Sequence, residues 1–81
     1  MDNNLKYKQA FLEGLLIDES VLEGNLEYNS VTEWDSIGHM SLVAELEEKF
    51  DIMMEMDDII EMSSFEKGKE ILEKKYNISF K

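Results

Sequence analysis

Not one of the 81 residues is proline, and dipeptides that close two-residue hairpins are scarce. Helices are therefore the economical way for this chain to pair its backbone amides and carbonyls. Four are expected. The first spans about residues 5–17, capped by Asn3 or Asn4, with Leu5, Phe11, Leu12, Leu15 and Leu16 recurring at helical spacing. Residues 18–34 lose that period and collect Gly24, Asn25, Asn29 and Ser30, which reads as a long connection. The second helix begins at Asp35 or Ser36 and ends at Phe50, with Ile37, Met40, Val43, Leu46 and Phe50 as its inward stripe. A short helical turn follows at 57–61. Ser63 with Glu66 three residues later has the form of a capping box opening a last helix over 64–76, with Phe65, Ile71, Leu72 and Tyr76 facing inward. Gly68 would cost that helix about 1 kcal/mol relative to alanine, and residues 77–81 read as a tail lying on the bundle. The expected architecture is a single all-α domain over 1–81, a small four-helix bundle of three main helices and a short third one.

A chain this short sits near the lower limit at which one hydrophobic core outweighs the entropy of ordering, ~1.5 kcal/mol per residue. Apolar residues make up 43%, too many for a disordered acidic tail, and charged residues 33%, too many for a membrane span. There is no cysteine, which excludes disulfides, thiolate metal sites and a thiol nucleophile supplied by the polypeptide. The first residues, Met1 to Asn4, lack the charged and apolar regions of a signal peptide, so a cytoplasmic monomer with no membrane attachment is expected.

Charge narrows the partners. The formal net charge is −11. Between Asp18 and Glu61 stand fourteen acids and one base, Lys49, while the segments on either side are close to neutral or slightly basic. Nucleic acid is disfavoured, because affinity for a phosphate backbone comes from neutralising it with lysine and arginine. A basic protein surface is the expected partner. For an arbitrary helix, an acidic run is merely a solvated face.

Here the acids coincide with a second signal. Trp34-Asp35-Ser36-Ile37-Gly38-His39-Met40 heads the amphipathic second helix, which closes on Glu47-Glu48-Lys49-Phe50-Asp51. An Asp-Ser-aliphatic tripeptide opening an acidic helix, preceded by one helix and a long loop and followed by a short and then a longer helix, resembles the acyl carrier protein family across essentially the whole chain. The resemblance implies that Ser36 is esterified by 4′-phosphopantetheine, with Asp35 beside the attachment site. It implies too that the protein is no enzyme but carries acyl groups as thioesters in lipid or polyketide biosynthesis, modified by a phosphopantetheinyl transferase using coenzyme A. The alternatives are an aminoacyl or peptidyl carrier and an unmodified acidic helical adaptor for a basic protein. Ser41, where fatty-acid carriers usually have an acid, and the absence of proline near Met54 and Glu55 depart from the fatty-acid carriers, while Gly38-His39 after the tripeptide and Trp34 before it look more like a stand-alone carrier of a specialised pathway.

Taken alone, Asp35 and Ser36 are ordinary helix-start residues. At the first helical position, however, a serine hydroxyl lies beside free amides and the positive end of the helix dipole, where a phosphodiester is favoured. Ile37, His39, Glu45, Glu47 and Glu48 are the candidate partner-binding residues, the glutamates because they lie off the inward stripe. Ser36 and His39 stand one turn apart like a nucleophile and its base, yet no Gly-x-Ser-x-Gly elbow or preceding strand accompanies them. His39 is the only histidine, and is expected to be exposed beside the cofactor arm. The acids of 51–61 lack the glycine and spacing of an EF-hand loop, and no metal site is expected. Met40, Met53, Met54, Met56 and Met62 read first as core filler; in the resembling family the carried chain can fold back between the second and third helices. Trp34 reads as a loop anchor or a partner contact.

Overall fold

The computed structural model describes residues 2–80. Its elements are α1 (Asn3–Leu15), a 3₁₀ turn (Glu19–Glu23), α2 (Ser36–Phe50), α3 (Met56–Glu61) and α4 (Phe65–Lys75). No strand occurs among the described residues; one isolated antiparallel bridge joins Glu27 to Ser64. The all-α, four-helix expectation is met. The 3₁₀ turn adds local order that Gly24 and the lost periodicity concealed.

Helix α1 starts two residues earlier than expected, because Asp2, not Asn3 or Asn4, caps it by accepting from the Asn4 amide at 3.0 Å, and it ends at Leu15 rather than at Ile17. Its buried face is Tyr7, Ala10, Phe11 and Leu15, whereas Leu5 is half exposed and Leu16 is 84% exposed in a left-handed cap with φ 55°. The inward stripe is thus rotated from the leucine pattern toward Tyr7, Ala10 and Gly14. A Cβ at Gly14 would come 2.8 Å from the Leu42 Cα. Its absence lets α1 and α2 pack backbone to backbone. Lys49 fastens the same pair of helices, reaching Glu13 at 3.2 Å and Glu45 at 3.6 Å.

The core gathers Tyr7, Phe11, Trp34, Leu42, Leu46, Met62 and Leu72, all fully buried. Aromatic edges lock it: Phe11 meets Tyr7 at 5.0 Å, Phe65 at 4.8 Å and Trp34 at 5.3 Å. The Tyr7 hydroxyl donates to the Phe65 carbonyl at 2.6 Å, and burial pushes its phenol well above the usual tyrosine value. Gly68 faces that hydroxyl, and a Cβ there would overlap it. What reads in the sequence as a weak point of α4 is a requirement of its packing. The α4 cap is Ser64, accepting from the Lys67 amide at 3.0 Å, so the Ser63–Glu66 capping box does not form. Ser63 is otherwise engaged, its carbonyl accepting from the Tyr28 amide at 2.8 Å. The tail does lie on the bundle: Ile78 is buried, Phe80 packs on Tyr7 at 5.4 Å, and the Asn3 side chain donates to the Ser79 carbonyl. Lys81 lies outside the described residues.

Helix α3 is attached differently. Asp58 is 3% exposed and bonds Lys75 at 2.6 Å and the Tyr76 hydroxyl at 2.7 Å. The Tyr76 oxygen also accepts from the Glu55 amide at 2.8 Å. These bonds, Lys75 foremost, hold the Asp58 carboxyl below its ordinary value. Met56, Asp57, Ile60 and Glu61 are exposed, and only Ile59 packs partly against the core, leaving α3 clipped to α4 chiefly by polar groups. No helix among the described residues is long and apolar enough to cross a membrane.

Candidate functional site

Two local features set Ser36 in place. Trp34 is fully buried, T-shaped against Phe11, which pins the end of the long connection to α1. The partner-contact reading of Trp34 is therefore replaced by the anchor reading. Next, Asp35 caps α2, its Oδ1 accepting from the Gly38 amide at 2.8 Å. A Cβ at Gly38 would overlap the Glu33 carbonyl oxygen, so glycine is what lets the chain turn this tightly into the helix. Ser36 is the first residue of α2 and is exposed, and among the described residues its own amide and that of Ile37 donate no hydrogen bond. The serine oxygen lies where helix amides and dipole favour an anion.

Ser36 also stands at the rim of a pocket of about 350 Å³ between α2 and α3. Met40, Met56, Ile59, Ile60 and Met62 make it apolar, and Tyr28, Ser63 and His39 complete it. The Tyr28–Ser63 backbone bond closes its loop side. The methionines divide: Met54 and Met62 are buried as core filler, while Met40, Met53 and Met56 are 53%, 85% and 67% exposed. Ile37 is 78% exposed as well. The first turn of α2 thus turns its apolar stripe outward, contrary to the inward stripe read from spacing, and the buried face of α2 is Leu42, Val43 and Leu46. Met40 instead faces α3 across the pocket, and Ile37 is open to solvent.

His39 departs most from expectation. It is half-buried, stacked on Trp34 at 16° and 6.1 Å, with the edge of Tyr28 at 5.4 Å. Trp34 Nε1–H donates to its Nδ1 at 2.8 Å, and its Nε2 lies 2.7 Å from the Ile59 carbonyl oxygen. An indole nitrogen only donates and a carbonyl only accepts, so Nδ1 is bare and Nε2 carries the hydrogen. Neither nitrogen is left to activate Ser36. Of the candidate acids, Glu45 pairs with Lys49, and Glu47 Oε2 accepts from the Met54 amide at 2.9 Å, which fixes the turn after α2. Glu48 is exposed with no hydrogen bond or ion pair among the described residues. Ile37 and Glu48 are accordingly the expected partner residues most open to one. Among the described residues, no three histidine or carboxylate groups converge on a possible metal position.

Sequence reading missed Tyr28, Ile59 and Ser63 as pocket residues and Asp58 as the buried acid. A tryptophan five residues before the only histidine was the one local sign of the Trp34–His39 bond. No family, curated protein or solved structure matches the chain in comparison.

Proposed function

We propose that the chain is an acyl carrier protein, bearing 4′-phosphopantetheine on Ser36 and presenting thioester-bound acyl groups to partner enzymes of a specialised biosynthetic pathway. The observation that carries this reading is the exposed serine at the first turn of an acidic helix, on the rim of an apolar pocket. The residues fit the group. Ser36 would hold it through its hydroxyl, the amides of Ser36 and Ile37 would face its phosphate, and Asp35 keeps those amides oriented by capping α2. The group's terminal thiol supplies the thioester chemistry, which a chain without cysteine cannot supply itself. The pocket offers an apolar chain a place beside the attachment point, and Met40 and Met56 are flexible enough to let its mouth widen. Ile37 and Glu48 supply an apolar and an acidic contact for a basic docking surface.

The test is to incubate the protein with a phosphopantetheinyl transferase, coenzyme A and Mg²⁺ and measure intact mass, with a known carrier in parallel. The expected result is one arm added to the wild-type chain and none to Ser36→Ala, whose helical circular dichroism stays unchanged because Asp35 still caps α2. An unmodified wild-type chain beside a modified control overturns the reading and leaves the unmodified adaptor. An arm on Ser36→Ala moves the site elsewhere. An aminoacyl or peptidyl carrier would load the same arm and separate only by its cargo.

A further inference from the structure

We infer that His39 is an acid-released latch: neutral, it fastens α3 against the loop ahead of Ser36, and protonated, it frees α3 and opens the pocket. The inference stands on the unmodified chain and does not depend on the arm at Ser36.

The latch is one imidazole with both nitrogens in use, Nδ1 accepting from Trp34 and Nε2–H donating to the Ile59 carbonyl. The Ile59 carbonyl lies in the last turn of α3, where helix carbonyls have no intrahelical partner. A proton taken from solvent onto Nδ1 would set two N–H groups against each other across the 2.8 Å that now separate their nitrogens. Trp34 cannot yield, being fully buried against Phe11. His39 can, because it is only half-buried and forms part of the pocket wall. As the ring swings away, Nε2–H leaves the Ile59 carbonyl, and α3 loses its bond to α2.

The second clip of α3 stays shut under mild acid. Asp58 is held ionised by Lys75 and Tyr76 on the α4 side, which keeps its titration below that of an ordinary carboxyl. Release of His39 would therefore pivot α3 on α4 rather than unfold it. Few titratable or charged groups face His39. Tyr28 presents its ring edge from the loop; Asp35, a turn earlier, is engaged as the cap; Glu33 is exposed. From α3 the pocket receives only Met56, Ile59 and Ile60, with Asp57 and Glu61 exposed and Asp58 turned to α4. From α1, apolar Leu15 and Phe11 lie nearby at Gly38 and Trp34. His39 is thus the one imidazole among these groups, and the chain has no other.

The chain has one tryptophan and one histidine, so its NMR spectrum reports the latch without ambiguity. The full-length isotope-labelled protein is titrated from pH 8 to pH 5, following the Trp34 indole N–H, the His39 ring and the amides of residues 56–62. The expected result is a single shared midpoint for all three, with α1 amides flat. In His39→Gln, which has no group to protonate there, the indole and α3 signals should stop responding. The inference is overturned if α3 amides stay still while His39 titrates, or if His39→Gln keeps the wild-type response. Should that variant fail to fold, the wild-type titration alone decides, since an unmoved Trp34 indole rules out the latch.

Discussion

The two sides of the pocket are built on opposite principles. The α2 side belongs to a packed unit in which Gly14 brings two backbones together and Phe11, Trp34, Leu42 and Leu46 fill the space. The α3 side is six residues long, with Met56 and Ile60 exposed, held by the Asp58 cluster and by His39. Apolar packing is diffuse and survives changes of pH and salt, whereas a polar clip depends on the protonation state of a few atoms. A site made from one wall of each kind keeps its serine in a fixed place and lets its cavity change volume.

The difference can be broken first from the packed side. Leu46→Ala, at a fully buried position, should lose about 2–5 kcal/mol of stability by urea unfolding. The loss should fall on the whole molecule, in one transition. Asp58→Asn attacks the other side. Replacing a carboxylate that bonds Lys75 and Tyr76 should cost about 1–3 kcal/mol, read as faster amide exchange in 56–62 with little change in α1. Because Lys75 and Tyr76 depress the native Asp58 value, its stabilisation is full above the unfolded carboxyl value, ~3.9. It is lost as pH falls through the lower native value. Wild type should therefore lose more stability than Asp58→Asn as pH drops below about 4, and equal acid sensitivity would remove Asp58 from the attachment of α3.

Smaller effects sharpen the comparison at the surface. Glu47→Ala should cost about 1 kcal/mol by freeing the Met54 amide, while Glu48→Lys should leave stability within ~0.5 kcal/mol. In the proposed carrier, Glu48→Lys should instead slow association with a basic partner, and the wild-type rate should fall with salt. The smallest effect is that of salt on stability itself. Raising ionic strength shortens the Debye length from ~30 Å at 0.01 M to ~8 Å at 0.15 M, and the fourteen acids between Asp18 and Glu61 repel one another less. A modest rise in melting midpoint is expected; a flat or falling midpoint would take charge repulsion out of the account.

What the sequence discloses divides along the same line as the pocket. The packed side is local and periodic: the extent of α2, its Asp35 cap and the exposure of Ser36 follow from spacing and capping chemistry within a few residues. Even there, the leucine pattern of α1 misplaces the buried face, because Tyr7 and Gly14 are dictated by what lies opposite, Phe65 and Leu42. The α3 side rests on pairs far apart in the chain. Asp58 reaches 17 and 18 residues to Lys75 and Tyr76, and His39 reaches 20 to Ile59. No period or motif marks such a pair, so His39 reads as a solvent-facing residue and Asp58 as one more acid in an acidic run. Nor does any pattern mark the bond that Glu47 accepts from the Met54 amide, seven residues on in the turn after α2.

Native-state amide exchange at neutral pH, on the whole chain, tests most directly the claim that one wall is fixed and the other releasable. The amides of Leu42 and Leu46, inside α2, should exchange only through global unfolding, and adding small amounts of urea should accelerate them steeply. The amides of Ile59 and Met62, bonded to the Glu55 and Asp58 carbonyls, should exchange through a smaller opening that urea barely affects. Equal protection and equal urea dependence on the two sides would contradict the account, making α3 an integral part of the core and the pocket a rigid one.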